Sequence, residues 1–156
     1  MGSSNAGDRK QNDFTALVEA MNLAAYVDLI TDNLKVFPDY SKVNEKDSNG
    51  NAYSVYVQKS SSLTNWVVNQ TRKIFILIYS ANRINLNKQP ERKKERLDKE
   101  CQAIELCYEH LAAIQLCKRR FHLSSRRIKY WGGRVRNLIK LLESWNESDK
   151  TRYKNI

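Results

Sequence analysis

The densest chemistry in the sequence is cationic. Lys118, Arg119 and Arg120 stand together, Arg126, Arg127 and Lys129 follow, and Arg134, Arg136 and Lys140 come after them. Guanidinium forks match phosphate oxygens with paired hydrogen bonds, and ammonium groups act as point charges. Tyr130 lies among these residues, and its ring can stack on an unpaired base. Residue types and spacing therefore point to a polyanion. RNA and DNA both stay open, as does a basic surface that only keeps the chain soluble. A looser second set comprises Arg72, Lys73, Arg83, Arg92, Lys93, Lys94 and Arg96.

Residues for catalysis are sparse. The sequence holds no Gly-rich phosphate loop, no HExxH and no nucleophile elbow. His110 and His122 stand alone, and His110 reads as a surface or hydrogen-bonded side chain rather than a base. Cys101, Cys107 and Cys117 form no CxxC pair and read as buried thiols in a reducing cytosol. Acids alternate with bases, as in Glu91-Arg92-Lys93-Lys94-Glu95-Arg96, the pattern of a solvated helix face. No carboxylate cluster suggests a two-metal site. The expectation is a chain that is not an enzyme and needs no metal or cofactor.

The elements that must carry the basic residues follow from composition and periodicity. The chain has 156 residues, a net charge of +10 and 41% hydrophobic residues. That length suits one domain able to bury about 70% of its unfolded surface. Five Gly and two Pro are too few for a turn-rich β fold, and the rest of the composition favours helix. Charge is uneven: −3 over residues 1–40, +1 over 41–70, +12 over 71–140 and zero over 141–156. Such clustering fits a polyanionic partner. No apolar run is long enough for a membrane span, no secretory signal opens the chain, and Ala6 stands where myristoylation wants Ser or Thr. The expected location is the cytoplasm.

Four helices are predicted. The first spans 13–36, capped by Asp13, with Phe14, Leu17, Val18, Met21, Ala25 and Leu29 as its apolar row, and it stops at Phe37-Pro38. Residues 39–52 read as a loop around Asp47-Ser48-Asn49-Gly50-Asn51. A second helix runs from about 53 to 86, with Tyr53, Tyr56, Val57, Leu63, Trp66, Val67, Ile74, Leu77, Ile78 and Ala81 in its row. The serines at 60–62 could break or restart it. A third spans about 89–120. Pro90 lies in its first turn, its charged opening projects into solvent, and Leu97, Cys101, Ile104, Tyr108, Leu111 and Ile114 form the row. Ser124 or Ser125 caps the fourth. Its Ile128, Trp131, Val135, Leu138, Leu142 and Trp145 recur at spacings 3, 4, 3, 4 and 3, a buried seam crossed by Gly132-Gly133. With no convincing strand, the fold class is all-α, an antiparallel up-down four-helix bundle. Residues 1–12 are expected as a disordered arm, 13–148 as the bundle and 149–156 as a polar tail.

The stretch from Phe75 to Ser148 carries a resemblance. Leu123-Ser124 at the cap, Tyr130, Leu141-Leu142-Glu143-Ser144-Trp145, the 21-residue step from Ser124 to Trp145, Ser80-Ala81-Asn82-Arg83 and Phe37-Pro38 hold it. The chain resembles the accessory variability determinant (Avd) proteins of diversity-generating retroelements, relatives of the four-helix proteins encoded in rRNA intervening sequences. It departs at Glu143-Ser144-Trp145, where the family has Gly-Gly-Trp or Gly-Ser-Trp, and in a longer 39–62 segment. The resemblance implies a basic helical homopentamer that binds a reverse transcriptase and its template RNA. It also implies a part in mutagenic cDNA synthesis with no polymerase activity of its own. An intervening-sequence-type RNA binder without a polymerase, and a protein-interaction scaffold, are the alternatives.

Overall fold

The structure, a computed structural model, describes residues 2–33, 35–38, 40–58 and 62–153. It is built on helices α1 (Gly2–Thr31), α2 (Ser62–Arg83), α3 (Lys93–Phe121) and α4 (Ser125–Arg152). Each helix packs on the next, and α1 also packs on α4, so the four enclose one core. The result is a helical bundle with a small sheet attached.

The sheet corrects the expected loop over 39–52 and the expected helical start at 53. Strands β1 (Tyr40–Lys46) and β2 (Ala52–Gln58) pair antiparallel from Tyr40–Gln58 to Lys46–Ala52. Ala52–Gln58 is rich in Tyr and Val, the aromatic and β-branched types that suit a strand better than a helix face. The predicted turn at 47–51 does hold. The Asp47 carboxylate accepts from Asn49 N at 2.9 Å and Asn51 N at 2.8 Å, and Gly50 takes the positive φ of +81° that the turn requires. Among the described residues, the hairpin packs on no helix. Ser60 and Ser61, read as a possible restart of the helix, lie outside the described residues, and α2 begins at Ser62.

Helix α4 follows the prediction most closely. Trp131, Val135, Leu138 and Leu142 are fully buried and Trp145 nearly so. Ser124 caps the helix, its Oγ accepting from Arg127 N at 3.2 Å. The helix runs unbroken through Gly132-Gly133. It also continues past 148, the expected end of the bundle. Asn146 and Asp149 are buried, and Tyr153 closes a satellite cluster with Ile84 and Leu86. The polar tail is thus corrected for residues 149–153, while 154–156 lie outside the described residues.

In α3 the core stripe lies one residue before the predicted row until the two meet at Ile114. Arg96, Glu100, Ala103, Cys107, His110, Ile114, Cys117 and Phe121 point inward at alternating steps of four and three. Cys101 and Tyr108 are exposed instead, and Leu97, Ile104 and Leu111 are half-buried. The stripe was disguised by its three polar members. One of them, Arg96, shows that the charged opening does not project wholly into solvent.

Helix α1 has two apolar faces, and the core takes the less obvious one. Ala16, Ala20, Leu23, Val27 and Ile30 are buried, whereas Met21 and Leu29 are 52% and 71% exposed. Alanines let neighbouring helices approach closely, which favours that face. The helix begins at Gly2, so residues 2–12 belong to it rather than to an arm, and Asp13 lies inside it instead of capping it. The Phe14 side chain lies outside the described residues. The helix ends at Thr31, short of the expected 36, and the chain turns so that Phe37 plugs the end of the core. Phe37 lies against Phe121 at 4.6 Å and Trp131 at 6.3 Å between ring centroids.

Candidate nucleic-acid interface

The turn between α3 and α4 fixes the basic corner. His122 adopts the left-handed conformation, φ 53°, and Leu123 N bonds back to Lys118 O at 3.2 Å. Phe121 and Leu123 anchor in the core on either side. The cations before and after the turn therefore sit on a rigid corner rather than a loose loop.

The corner splits its cations into three sets. Lys118, Lys129 and Arg136 line a groove of about 420 Å³ between α3 and α4. Arg119 and Arg120 turn toward α2, where they border a second hollow with Trp66 and Leu116. Arg127 and Arg134 turn toward α1. Arg127 Nη1 donates to Tyr26 Oη at 3.3 Å, and Arg134 reaches Glu19 at 3.8 Å. Arg134 Nε also donates to Tyr130 Oη at 2.9 Å, with its guanidinium carbon 5.3 Å from that ring. Tyr130 is half exposed and meets Tyr26 edge-on at 5.1 Å. Arg126 and Lys140 are exposed. Lys140 lies one turn after Arg136, so it continues the α3-side row and not the Arg127–Arg134 row.

Neutralisation differs between the two sets in degree. Among the described residues, Lys118, Arg119, Arg126, Lys129, Arg136 and Lys140 form no ion pair. Of the second set, Arg72 reaches Asp28 at 3.4 Å, Arg92 forks onto Glu95 at 2.8 and 2.9 Å, and Lys93 donates to the Tyr153 carbonyl. Arg96 is only 5% exposed and cannot meet an external polyanion. Arg83 packs over Tyr79 at 5.9 Å, and with Lys73 and Lys94 it stays exposed. The structure thus leaves most cations of the primary set without an acid partner, on three faces around the α3–α4 turn, and pairs or buries several of the second set.

Two buried polar networks explain the titratable residues of α3. Trp131 Nε1–H donates to His110 Nε2 at 3.1 Å, which leaves Nδ1–H to donate to Gln70 Oε1 at 2.9 Å. The chain ties α4 to α3 to α2. Burial pulls the imidazole down to about 4, so it is neutral, and both of its nitrogens are occupied. At the other end, Arg96 donates to Asp149 at 2.7 and 3.1 Å, to the Ile84 carbonyl at 2.7 Å and toward Glu100 at 3.3 Å. Burial and the neighbouring Asp149 push the Glu100 carboxyl up to about 9. Glu100 is therefore protonated at neutral pH, and it accepts from Asn146 Nδ2 at 3.0 Å. Arg152 reaches Asp149 from the rim at 3.5 Å.

Burial also pushes Cys107 and Cys117 up to about 12, which leaves them as unreactive core thiols. The third cysteine, Cys101, is exposed, which corrects the expectation of three buried thiols. Among the described residues, no three His, Cys, Asp or Glu side chains group to hold a metal ion, and no helix is long and apolar enough to cross a membrane.

Sequence reasoning missed Trp66 at this surface. Helical spacing puts it in the apolar row of α2, but it is 41% exposed beside Arg119 and Arg120. The signal was available: Trp66 falls one residue before Val67, which the core takes.

No protein-family model, curated protein or solved structure matches this chain.

Proposed function

We propose that this chain is a non-catalytic, RNA-binding accessory protein of a diversity-generating retroelement. It holds template RNA against a reverse transcriptase in the cytoplasm and leaves polymerisation to that partner. The observation that carries the reading is the rigid α3–α4 corner with six cations that no described acid neutralises. Uncompensated charge on a fixed surface is the electrostatic footprint of a phosphate partner. Tyr130, clamped by Arg134 and half exposed beside the corner, supplies an aromatic face of the kind that favours RNA with unpaired bases. The cyclic packing of α1 to α4 supports the antiparallel up-down arrangement. The exposed Met21 and Leu29 on α1, with Ile76 and Tyr79 on α2, support assembly into an oligomer, a pentamer by the family resemblance.

The test is a salt titration of RNA binding. The wild type should lose affinity steeply as salt rises. Replacing Lys118, Arg126, Lys129 and Arg136 together by Ala should flatten the log–log slope by about 3 units, at roughly 0.7–0.9 per lost phosphate contact. Circular dichroism should show the same helix content. An unchanged slope and affinity in that variant would overturn the reading. Copurification with a reverse transcriptase, before and after RNase, separates the retroelement role from that of an intervening-sequence-type RNA binder without a polymerase.

A further inference from the structure

The hollow between α2 and α3 has a chemistry that the corner alone does not use. The first turn of α2 contributes Leu63 and Trp66, and the last turns of α3 contribute Leu116, Arg119 and Arg120. Together with Ser62 they enclose about 800 Å³, open to solvent. Trp66 and Leu116 are 41% and 52% exposed, so part of an indole and part of an aliphatic side chain meet solvent. Arg119 has no ion-pair partner among the described residues, and the Arg120 guanidinium carbon is held 5.2 Å from the centroid of the Phe121 ring. Lys118, the residue before Arg119, already faces the α3–α4 groove.

This arrangement selects among polyanions. A bare phosphate would use the arginines and leave the indole and leucines wet. A duplex keeps its bases stacked and presents backbone and base edges, but no ring faces, to a surface. An unpaired nucleotide satisfies both halves: its base stacks on an indole while its phosphates meet arginine, the combination used by single-strand binders. We propose that Trp66 is the stacking platform for an unpaired nucleotide of the bound RNA. Arg119 holds a flanking phosphate, and the backbone runs on past Lys118 into the α3–α4 groove. The inference rests on the RNA-binding reading and adds to it a preference for single strands and a residue that sets it.

The test compares a short oligoadenylate with a fully paired RNA duplex of the same length, and oligoglutamate as an acidic peptide. Trp66 is the exposed one of three tryptophans, while Trp131 and Trp145 are buried, so fluorescence reports on it selectively. Oligoadenylate should quench wild-type emission. Trp66→Ala should weaken oligoadenylate about fivefold or more, the value of one stacked base, and leave duplex affinity unchanged. Trp66→Phe should recover most of the loss. Because Trp66 is partly exposed, circular dichroism of both variants should match the wild type, and Trp66→Phe keeps the test valid if Trp66→Ala folds poorly. Equal affinity of Trp66→Ala for oligoadenylate, or an equal loss for duplex, overturns this inference and leaves the RNA-binding reading standing. Quenching by oligoglutamate but not by oligoadenylate assigns the hollow to an acidic peptide and overturns it as well. A wild type that binds neither RNA overturns both readings together.

Discussion

Glu100 offers a test of the core that does not depend on any partner. Its side chain is fully buried between Arg96, Asp149 and Asn146, and its carboxyl is raised from an ordinary 4.5 to about 9. The unfolded chain releases this proton near pH 4.5 while the folded chain keeps it to about 9. Between those values the unfolded state binds fewer protons, so stability falls as pH rises, by about 1.4 kcal/mol per pH unit from this group. By pH 7 the loss is about 3 kcal/mol relative to pH 4.5, and it ends above the folded value. Glu100→Gln removes the titration while keeping the shape. The amide oxygen can accept from Asn146, and the amide nitrogen can donate to Asp149. The variant should be more stable than the wild type by about 2–3 kcal/mol at pH 7, less whatever the second amide proton loses facing Arg96. The advantage should shrink to nothing near pH 4.5. Urea unfolding of both proteins at several pH values between 5 and 8 measures the difference directly. Two curves that run parallel across that range would mean that Glu100 is ionised in the fold, and the reasoning would fail.

The other predictions concern the same interior and the glycine pair. His110 is lowered from 6.5 to about 4, so the unfolded chain takes up a proton there before the folded one, and stability should fall by up to about 3 kcal/mol as pH drops through that window. Urea unfolding of His110→Gln between pH 4 and 6.5 should lack that slope; the wild-type slope surviving in the variant would count against a neutral buried imidazole. A Cβ at Gly133 meets nothing within 4 Å, so Gly133→Ala should gain about 1 kcal/mol of helix stability. A Cβ at Gly132 would lie 3.1 Å from the Arg136 guanidinium, so Gly132→Ala should gain less and displace a residue of the α3–α4 groove. Thermal melts of the two variants, with RNA affinity beside them, check both.

How much was legible depended on how each helix hides its core. Helix α4 could be read because its buried stripe is made of large apolar residues and its cap is a serine. Helix α3 could not, because Arg96, Glu100 and His110 occupy core positions and read as surface. Their burial rests on partners far along the chain: Asp149 for Arg96, Asn146 for Glu100, and Gln70 and Trp131 for His110. Helix α1 misled in the opposite way, since Met21 and Leu29 look like core and are solvent-facing. The hairpin was missed because Tyr53, Tyr56 and Val57 also fit helical steps. At the candidate site the cations were legible as types, but their neutralisation was not. Nothing local in the sequence says that Asp28 lies on Arg72 or that Glu19 lies by Arg134.

The hairpin has a practical consequence. Its tip is closed by its own Asp47 and Gly50, and among the described residues its strands touch no helix. The turn at Ser48-Asn49 is therefore a natural port for added sequence. Loop length adds to the entropy cost only logarithmically, so an epitope or a peptide tag inserted there would lengthen an isolated ribbon without disturbing the bundle. The chain thus carries its own handle for immobilisation or labelling, at the tip of a hairpin that packs on no helix among the described residues.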